Sequence, residues 1–238
     1  MQAPNEAPVS LPMTRLPAGI RETATIGFFA MDDDARKSLG TYQRIRRLVL
    51  AVMVVVMIAA LLFGQSVFPP DTPVHESIEM VGVLLIFLGV VGRLWSTLYI
   101  GGRKSAEVVT GGPYSITRNP LYLFSSVAAA GVGAQMGSVV ATIGFGALCA
   151  VAFHVVILRE EKFLKTAMGE SYRAYLEKVP RFFPKLSLYQ EGDTGSFKPR
   201  LLLNTLLDGL IFLIAMPVFE AIDTAQMSGA LPVLFRLP

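Results

Sequence analysis

Five apolar stretches, each near the length that crosses a bilayer, constrain this chain more than any other feature. They cover roughly residues 48–68, 78–100, 120–136, 139–158 and 201–219. A hydrocarbon core takes about 20 residues of helix, and a helix satisfies its backbone groups within its own segment where no water can. Only 16% of the residues are charged and 53% are hydrophobic, against about 25% charged in soluble domains. The expected fold class is therefore all-α: a polytopic membrane helix bundle of about five transmembrane helices plus a cytoplasmic interfacial helix. The single Cys149 lies inside an apolar run, which argues against a disulfide framework or a cysteine metal site. His75 and His154 are the only histidines, so a histidine-rich metal site is not expected either. A net charge of +3 gives no reason to expect nucleic acid as a partner.

Three segments follow from the pattern. Residues 1–46 read as a polar N-terminal arm with Pro4, Pro8, Pro12 and Pro17. No basic stretch leads directly into an early apolar core, so a cleaved signal peptide is not expected. Residues 47–186 form the membrane core, with its motifs at 103–184. Residues 187–238 are a polar linker and an extra C-terminal helix containing Asn204, Asp208 and Pro217. The prolines at 69, 70 and 73 break the helical pattern after the first span, and Gly137-Ser138 reads as a tight turn between the third and fourth. Ala128, Gly131, Gly133, Gly144 and Gly146 would let those two helices approach closely, although glycine is common in membrane helices anyway. From Arg159 apolar residues recur at three- and four-residue steps (Phe163, Leu164, Ala167, Met168, Tyr172, Tyr175), which predicts a helix in the membrane interface.

Basic residues set the expected orientation. Arg44, Arg46 and Arg47 precede the first span. Arg103, Lys104 and Arg118 lie between the second and third, and Arg159 to Lys185 follow the fourth. The loop after the first span has no Lys or Arg. The N-terminus and both polar clusters are thus expected on the cytoplasmic side.

Those clusters bracket the third and fourth spans. Asn119-Pro120 is a helix start, with Asn suited to cap and Pro to the first turn. Arg118 beside it offers an anion site, or equally an anchor to lipid headgroups. Glu160 and Glu161 oppose the dipole at a helix C-terminus and need a compensating cation, from Arg159, Lys162 or a charged ligand. Together they outline a pocket for a zwitterionic headgroup. Tyr114, Tyr122, Tyr172, Phe182 and Phe183 are available as aromatic faces, or as interfacial anchors. His154 reads as a hydrogen-bonded core histidine or a proton carrier. Asp208 reads as the partner of Asn204 or of a bundle arginine, or as a functional group at depth.

The ordered set Gly112-Pro113-Tyr114, Arg118-Asn119-Pro120-Leu121-Tyr122, Glu160-Glu161, Gly169-x-x-Tyr172-x-x-Tyr175 and Val179-Pro180 resembles the isoprenylcysteine carboxyl methyltransferases and their phospholipid methyltransferase relatives. The resemblance spans residues 103–184 and implies a membrane enzyme that uses S-adenosylmethionine. It implies cofactor contacts at Ala106, Glu107, Val108, Val109, Tyr114, Asn119, Pro120, Leu121, Tyr122 and Glu160, and the cofactor-binding set is completed by Gly112 and Arg118. Arg159 and Glu161 are the catalytic candidates. Ala106 stands where relatives often have His. Asn119 replaces the commoner His before Pro. Val156 stands at the substrate-contacting Arg of eukaryotic members.

The expected activity is methyl transfer from S-adenosylmethionine to a lipophilic acceptor that enters from the lipid bilayer. A carboxylate or phosphate acceptor is already ionised at neutral pH, whereas an amine would need a base such as Glu161 or His154. An NADPH-dependent membrane reductase of the sterol type shares parts of the pattern. A non-catalytic membrane protein that retains the fold is the third reading.

Overall fold

In the computed structural model of the chain the described residues are 48, 51–100, 108–192 and 199–238. The N-terminal arm with its basic cluster, Arg103, Lys104, Ala106, Glu107 and most of the polar linker lie outside the described residues. The chain divides into Met1–Arg47 and Leu48–Pro238, and the described residues all belong to the second unit.

Helix α1 covers Ala51–Phe63 and gives way to a short strand, β1, at Gly64–Ser66. Helix α2 follows at Pro73–Ile100. It starts on a proline, which needs no N–H there, and the Thr72 hydroxyl accepts from the His75 N–H at 3.4 Å. A single turn, α3, occupies Pro113–Ile116, and α4 runs from Pro120 to Ala134. Helix α5 is Val139–Lys178, α6 is Pro199–Met227, and a last strand, β2, is Phe235–Leu237. The architecture is an all-α membrane bundle. Helices α2, α6 and the Val139–Thr166 part of α5 are long and apolar enough to cross a membrane, while the described part of α1 and all of α4 are shorter.

Helix α4 is the centre of the bundle, packed between α2 and α5, and α6 packs against α2 and also touches α4. The small residues explain this, though not in the expected way. Only Gly133 and Gly146 face the α4–α5 contact: a Cβ on Gly133 would lie 2.4 Å from the Ala141 oxygen. Gly131 and Ala128 face α2 instead, where Gly82, Ile86 and Gly89 meet them. Gly144 has nothing within 4 Å and serves neither contact. The expectation that all five residues join the third and fourth spans is corrected: small residues on two faces of α4 let it approach two neighbours at once.

Two further differences concern helix ends. The amphipathic segment from Arg159 does not start a separate helix. Helix α5 continues through Met168 and bends at Gly169, whose φ of 60° and ψ of −131° are non-helical. That φ is open to glycine and strained for other residues. The chain after the last span is not featureless either, since β2 pairs in parallel with β1, Gly64 opposite Phe235 and Ser66 opposite Leu237. The terminal Pro238 carbonyl accepts from the Ser138 hydroxyl at 2.7 Å and from the Val140 N–H at 3.1 Å. The tail thus closes over the Gly137-Ser138 turn, where Gly137 has φ 62° and Ser138 caps α5 by accepting from the Ala141 N–H.

Candidate functional site

At the other end of the bundle the chain faces the problem of holding α3, the α4 start and the end of α5 together. Backbone and side-chain bonds do this jointly. The Arg118 N–H donates to the Pro180 carbonyl at 2.9 Å, and the Lys185 N–H to Ile116 at 2.9 Å. Thr117, fully buried, donates its hydroxyl to the Phe182 carbonyl at 2.9 Å. The Tyr175 hydroxyl donates to the Tyr114 carbonyl at 2.7 Å. Tyr172, Tyr175 and Val179 form an apolar cluster against which Val108 and Met168 pack. The two polar motifs are therefore one physical unit.

Glu161 is at its centre and only 4% exposed. Arg118 donates to its Oε1 from Nη1 at 3.0 Å, and Arg181 grips it with Nε and Nη2, at 3.1 and 3.0 Å to Oε2. Two guanidinium groups fill the acceptor positions of one carboxylate, and such bidentate pairs fix geometry as well as charge. Arg118 also donates from Nε to the Val179 carbonyl at 2.6 Å and from Nη2 to the Leu176 carbonyl. It thereby satisfies the last carbonyls of α5, which a helix end leaves without partners. So Arg118 is spent on a clasp, and the sequence-derived picture of a free anion-binding cation does not match its contacts. Asn119 likewise does not cap α4 with its side chain. Its Nδ2 donates to the Arg181 carbonyl at 2.8 Å, because the incoming 179–184 segment needs a donor there.

Glu160 faces another way. Its Oε2 accepts from the Tyr122 hydroxyl at 2.8 Å, and the Tyr122 ring stacks on Phe153 with centroids 4.7 Å apart. Tyr114 is 6% exposed, and its hydroxyl is buried without a hydrogen-bond partner. Burial pushes its phenol up, and the charges of Tyr175, Glu160 and Tyr122 push it further, so Tyr114 is a neutral hydroxyl beside Glu160. Tyr172 is pushed up to about 12, first by burial and then by the Glu161 carboxylate. A neutral hydroxyl, a carboxylate and a half-buried aromatic ring thus meet at this end of α4 and α5.

Of the predicted residues, the structure joins Val108, Gly112, Tyr114, Arg118, Asn119, Pro120, Tyr122, Glu160 and Glu161 in or beside this unit. Gly112 sits at φ 58° with its N–H bonded to the Gln190 carbonyl at 2.8 Å. Val109 and Leu121 are half-buried. Arg159 is exposed and takes no part in the Arg118–Glu161–Arg181 ion pairs. His154, expected in the core, is also exposed, and Phe183 is 82% exposed. Arg181 was legible only as one more basic residue near a span end; nothing in its spacing marks it as the second partner of Glu161. Arg93 passed unnoticed within the second span, although an ionisable residue at depth is itself a signal.

A family model described as Phospholipid methyltransferase matches residues 78–171, which hold both polar clusters up to Gly169. The nickel-cobalt-cadmium resistance protein NccN of Alcaligenes xylosoxydans xylosoxydans is 36% identical over 195 residues, covering 79% of this chain and 87% of that protein. The cobalt-zinc-cadmium resistance protein CzcN of Cupriavidus metallidurans is 36% identical over 186 residues, covering 78% and 85%. No solved structure matches the chain.

Proposed function

Because the chain belongs to the phospholipid methyltransferase family, we propose that it transfers a methyl group from S-adenosylmethionine to a lipophilic acceptor held in the bilayer. The observation that carries this reading is the buried, unpartnered Tyr114 hydroxyl beside Glu160 and Tyr122. A buried polar atom without a partner costs free energy unless a ligand completes it. The donor set fits a cofactor with an ammonium group, ribose hydroxyls and a sulfonium centre. Glu160 would hold the cation, the Tyr114 hydroxyl would bond a polar group, and the Tyr122 ring would offer a π face. The first turn of α4, which the Asn119 side chain does not cap, suits the cofactor's carboxylate. When bound, S-adenosylmethionine supplies an electrophilic methyl group.

The protein's own part is alignment and exclusion of water. Glu161, gripped by two arginines, fixes the start of α4 against α5 and so sets the Glu160–Tyr122 pair; it is a positioning residue in this reading. An anionic acceptor oxygen then needs no base. We place this site and the N-terminus on the cytoplasmic side, as the basic residues around the 47, 103–118 and 159–185 segments suggest. The relatives are named for resistance to nickel, cobalt, zinc and cadmium, and methyl transfer to a lipid is proposed for this chain alone. Among the described residues, no group of three His, Cys, Asp or Glu side chains is placed to hold a metal.

Isothermal titration of the purified chain with S-adenosylmethionine and its demethylated product tests the reading. Both should bind, and Glu160→Gln should lose roughly tenfold or more in affinity, the scale of a charge-assisted contact, while its unfolding temperature stays put. Binding of NADPH in place of both would hand the site to the reductase reading.

A further inference from the structure

Arg93 lies in α2, seven residues before Ile100, or about 10 Å inside the helix at ~1.5 Å per residue. It is half-buried. Its Nη1 donates to the Ser125 hydroxyl of α4, and its Nε is buried without a hydrogen-bond partner. Asp208 of α6 lies between Thr205 and Gly209, which meet Thr97 and Val90 of α2, and so stands level with Arg93 across the seam, yet among the described residues no hydrogen bond or ion pair joins the two. One turn toward the site, Thr97 and Thr205 meet across the same α2–α6 seam, their hydroxyls 3.1 Å apart. Gly209 lets α6 dock there, since a Cβ on it would meet Val90 at 3.0 Å. Asp208 itself is exposed, as are its neighbours Leu207, Leu210 and Ile211, so this flank of the seam faces lipid.

An arginine at such depth is expensive unless paired, and here its full donor set is not consumed. Ser125 and Tyr122 are three residues apart on α4 and about 4.5 Å apart along its axis, Ser125 turned to Arg93 of α2 and Tyr122 to Glu160 and Phe153 of α5. We propose that Arg93, held in place by Ser125, whose hydroxyl accepts from it and donates to the Leu121 carbonyl, is the anchor for the anionic headgroup (a phosphate or carboxylate) of the lipid acceptor. Asp208 is its stand-in counter-charge until lipid arrives. An anion on the guanidinium lies about one helical turn below the level of the Tyr122–Glu160 pair, so the reacting end of the headgroup extends toward the level of the proposed donor. This assignment rests on the methyltransferase reading. It also gives the chain a substrate-binding cation, on a different helix from Val156.

Native mass spectrometry of the detergent-solubilised full chain, with phosphatidic acid and diacylglycerol as probes, tests it. Wild type should retain phosphatidic acid about tenfold better than Arg93→Gln does, on the scale of a charge-assisted bond, and diacylglycerol equally weakly in both. Arg93→Lys should keep part of the retention. Asp208→Asn should raise it, because the competing carboxylate is gone. Equal retention by wild type and Arg93→Gln, or a fall in Asp208→Asn together with a lower unfolding temperature, would make Arg93 a strut for α6 and overturn the proposal. Displacement of the lipid by millimolar inorganic phosphate would reassign the site to a soluble anion. Calorimetry with S-adenosylmethionine keeps the two readings apart: all three variants should bind it like wild type. A wild-type chain that holds phosphatidic acid through Arg93 but not S-adenosylmethionine would refute the methyltransferase reading alone.

Discussion

At the residue scale, the adjacent Glu160 and Glu161 are separated by environment rather than by chemistry. One helical position, about 100° of rotation, turns Glu160 to Tyr122 and Glu161 to Arg118 and Arg181. Removing one partner of a buried ion pair leaves the other uncompensated, at a cost of about 3–5 kcal/mol. Glu161→Gln should therefore lower the unfolding temperature sharply in detergent, whereas Glu160→Gln should not. Arg181→Gln should be milder, because Arg181 is 39% exposed at its side chain and Arg118 stays in place. Equal unfolding temperatures for wild type and Glu161→Gln would mean that the clasp does not hold the motifs together. The sequence made both glutamates visible as adjacent carboxylates, although helix α5 runs on through Met168 and they do not lie at the helix C-terminus where a clash with the dipole was expected. It did not say which one was committed to structure, because Arg181 lies twenty positions away and returns only through the bend at Gly169.

At the element scale, apolar run length placed every long helix, since the lipid requirement is local to each segment. What ran differently was which faces met. Gly89 and Ala128 mark the crossing of α2 and α4, where an added Cβ would sit 2.6 Å from the Ala128 Cβ. Gly89→Val should cost about 1–3 kcal/mol as overpacking. Gly144→Val, with nothing within 4 Å, should be nearly neutral. Thermal unfolding of the two variants side by side decides this, and a Gly144 variant as damaged as the Gly89 variant would refute the packing scheme. Spacing alone assigned all the small residues to the sequence-adjacent pair, because a one-dimensional reading has no second neighbour to offer. The kink at Gly169 was hidden for a related reason: helical periodicity persists on both sides of it, and only the backbone angle shows the break.

For the whole molecule, the proposed orientation makes the two ends of the bundle distinguishable. Exposed Ser187 belongs to the motif end and exposed Glu76 to the end closed by β1, β2 and Pro238. Ser187→Cys should react with an impermeant maleimide in inverted vesicles only, and Glu76→Cys in right-side-out vesicles only; native Cys149 is buried. The opposite pattern would invert the site's location. The sequence by itself determined that this chain is a helical membrane protein, where its long helices lie and which ordered motifs flank the central hairpin. Hydropathy, proline and motif order are properties of neighbouring residues, so they survive without a fold. Only the tertiary structure decided that Arg118 clasps α5 instead of waiting for an anion, that the tail returns to strand β1, and that Arg93 reaches from α2 toward α4 and α6. Each of those facts depends on residues far apart in sequence, brought together by packing of helix faces that no local pattern specifies.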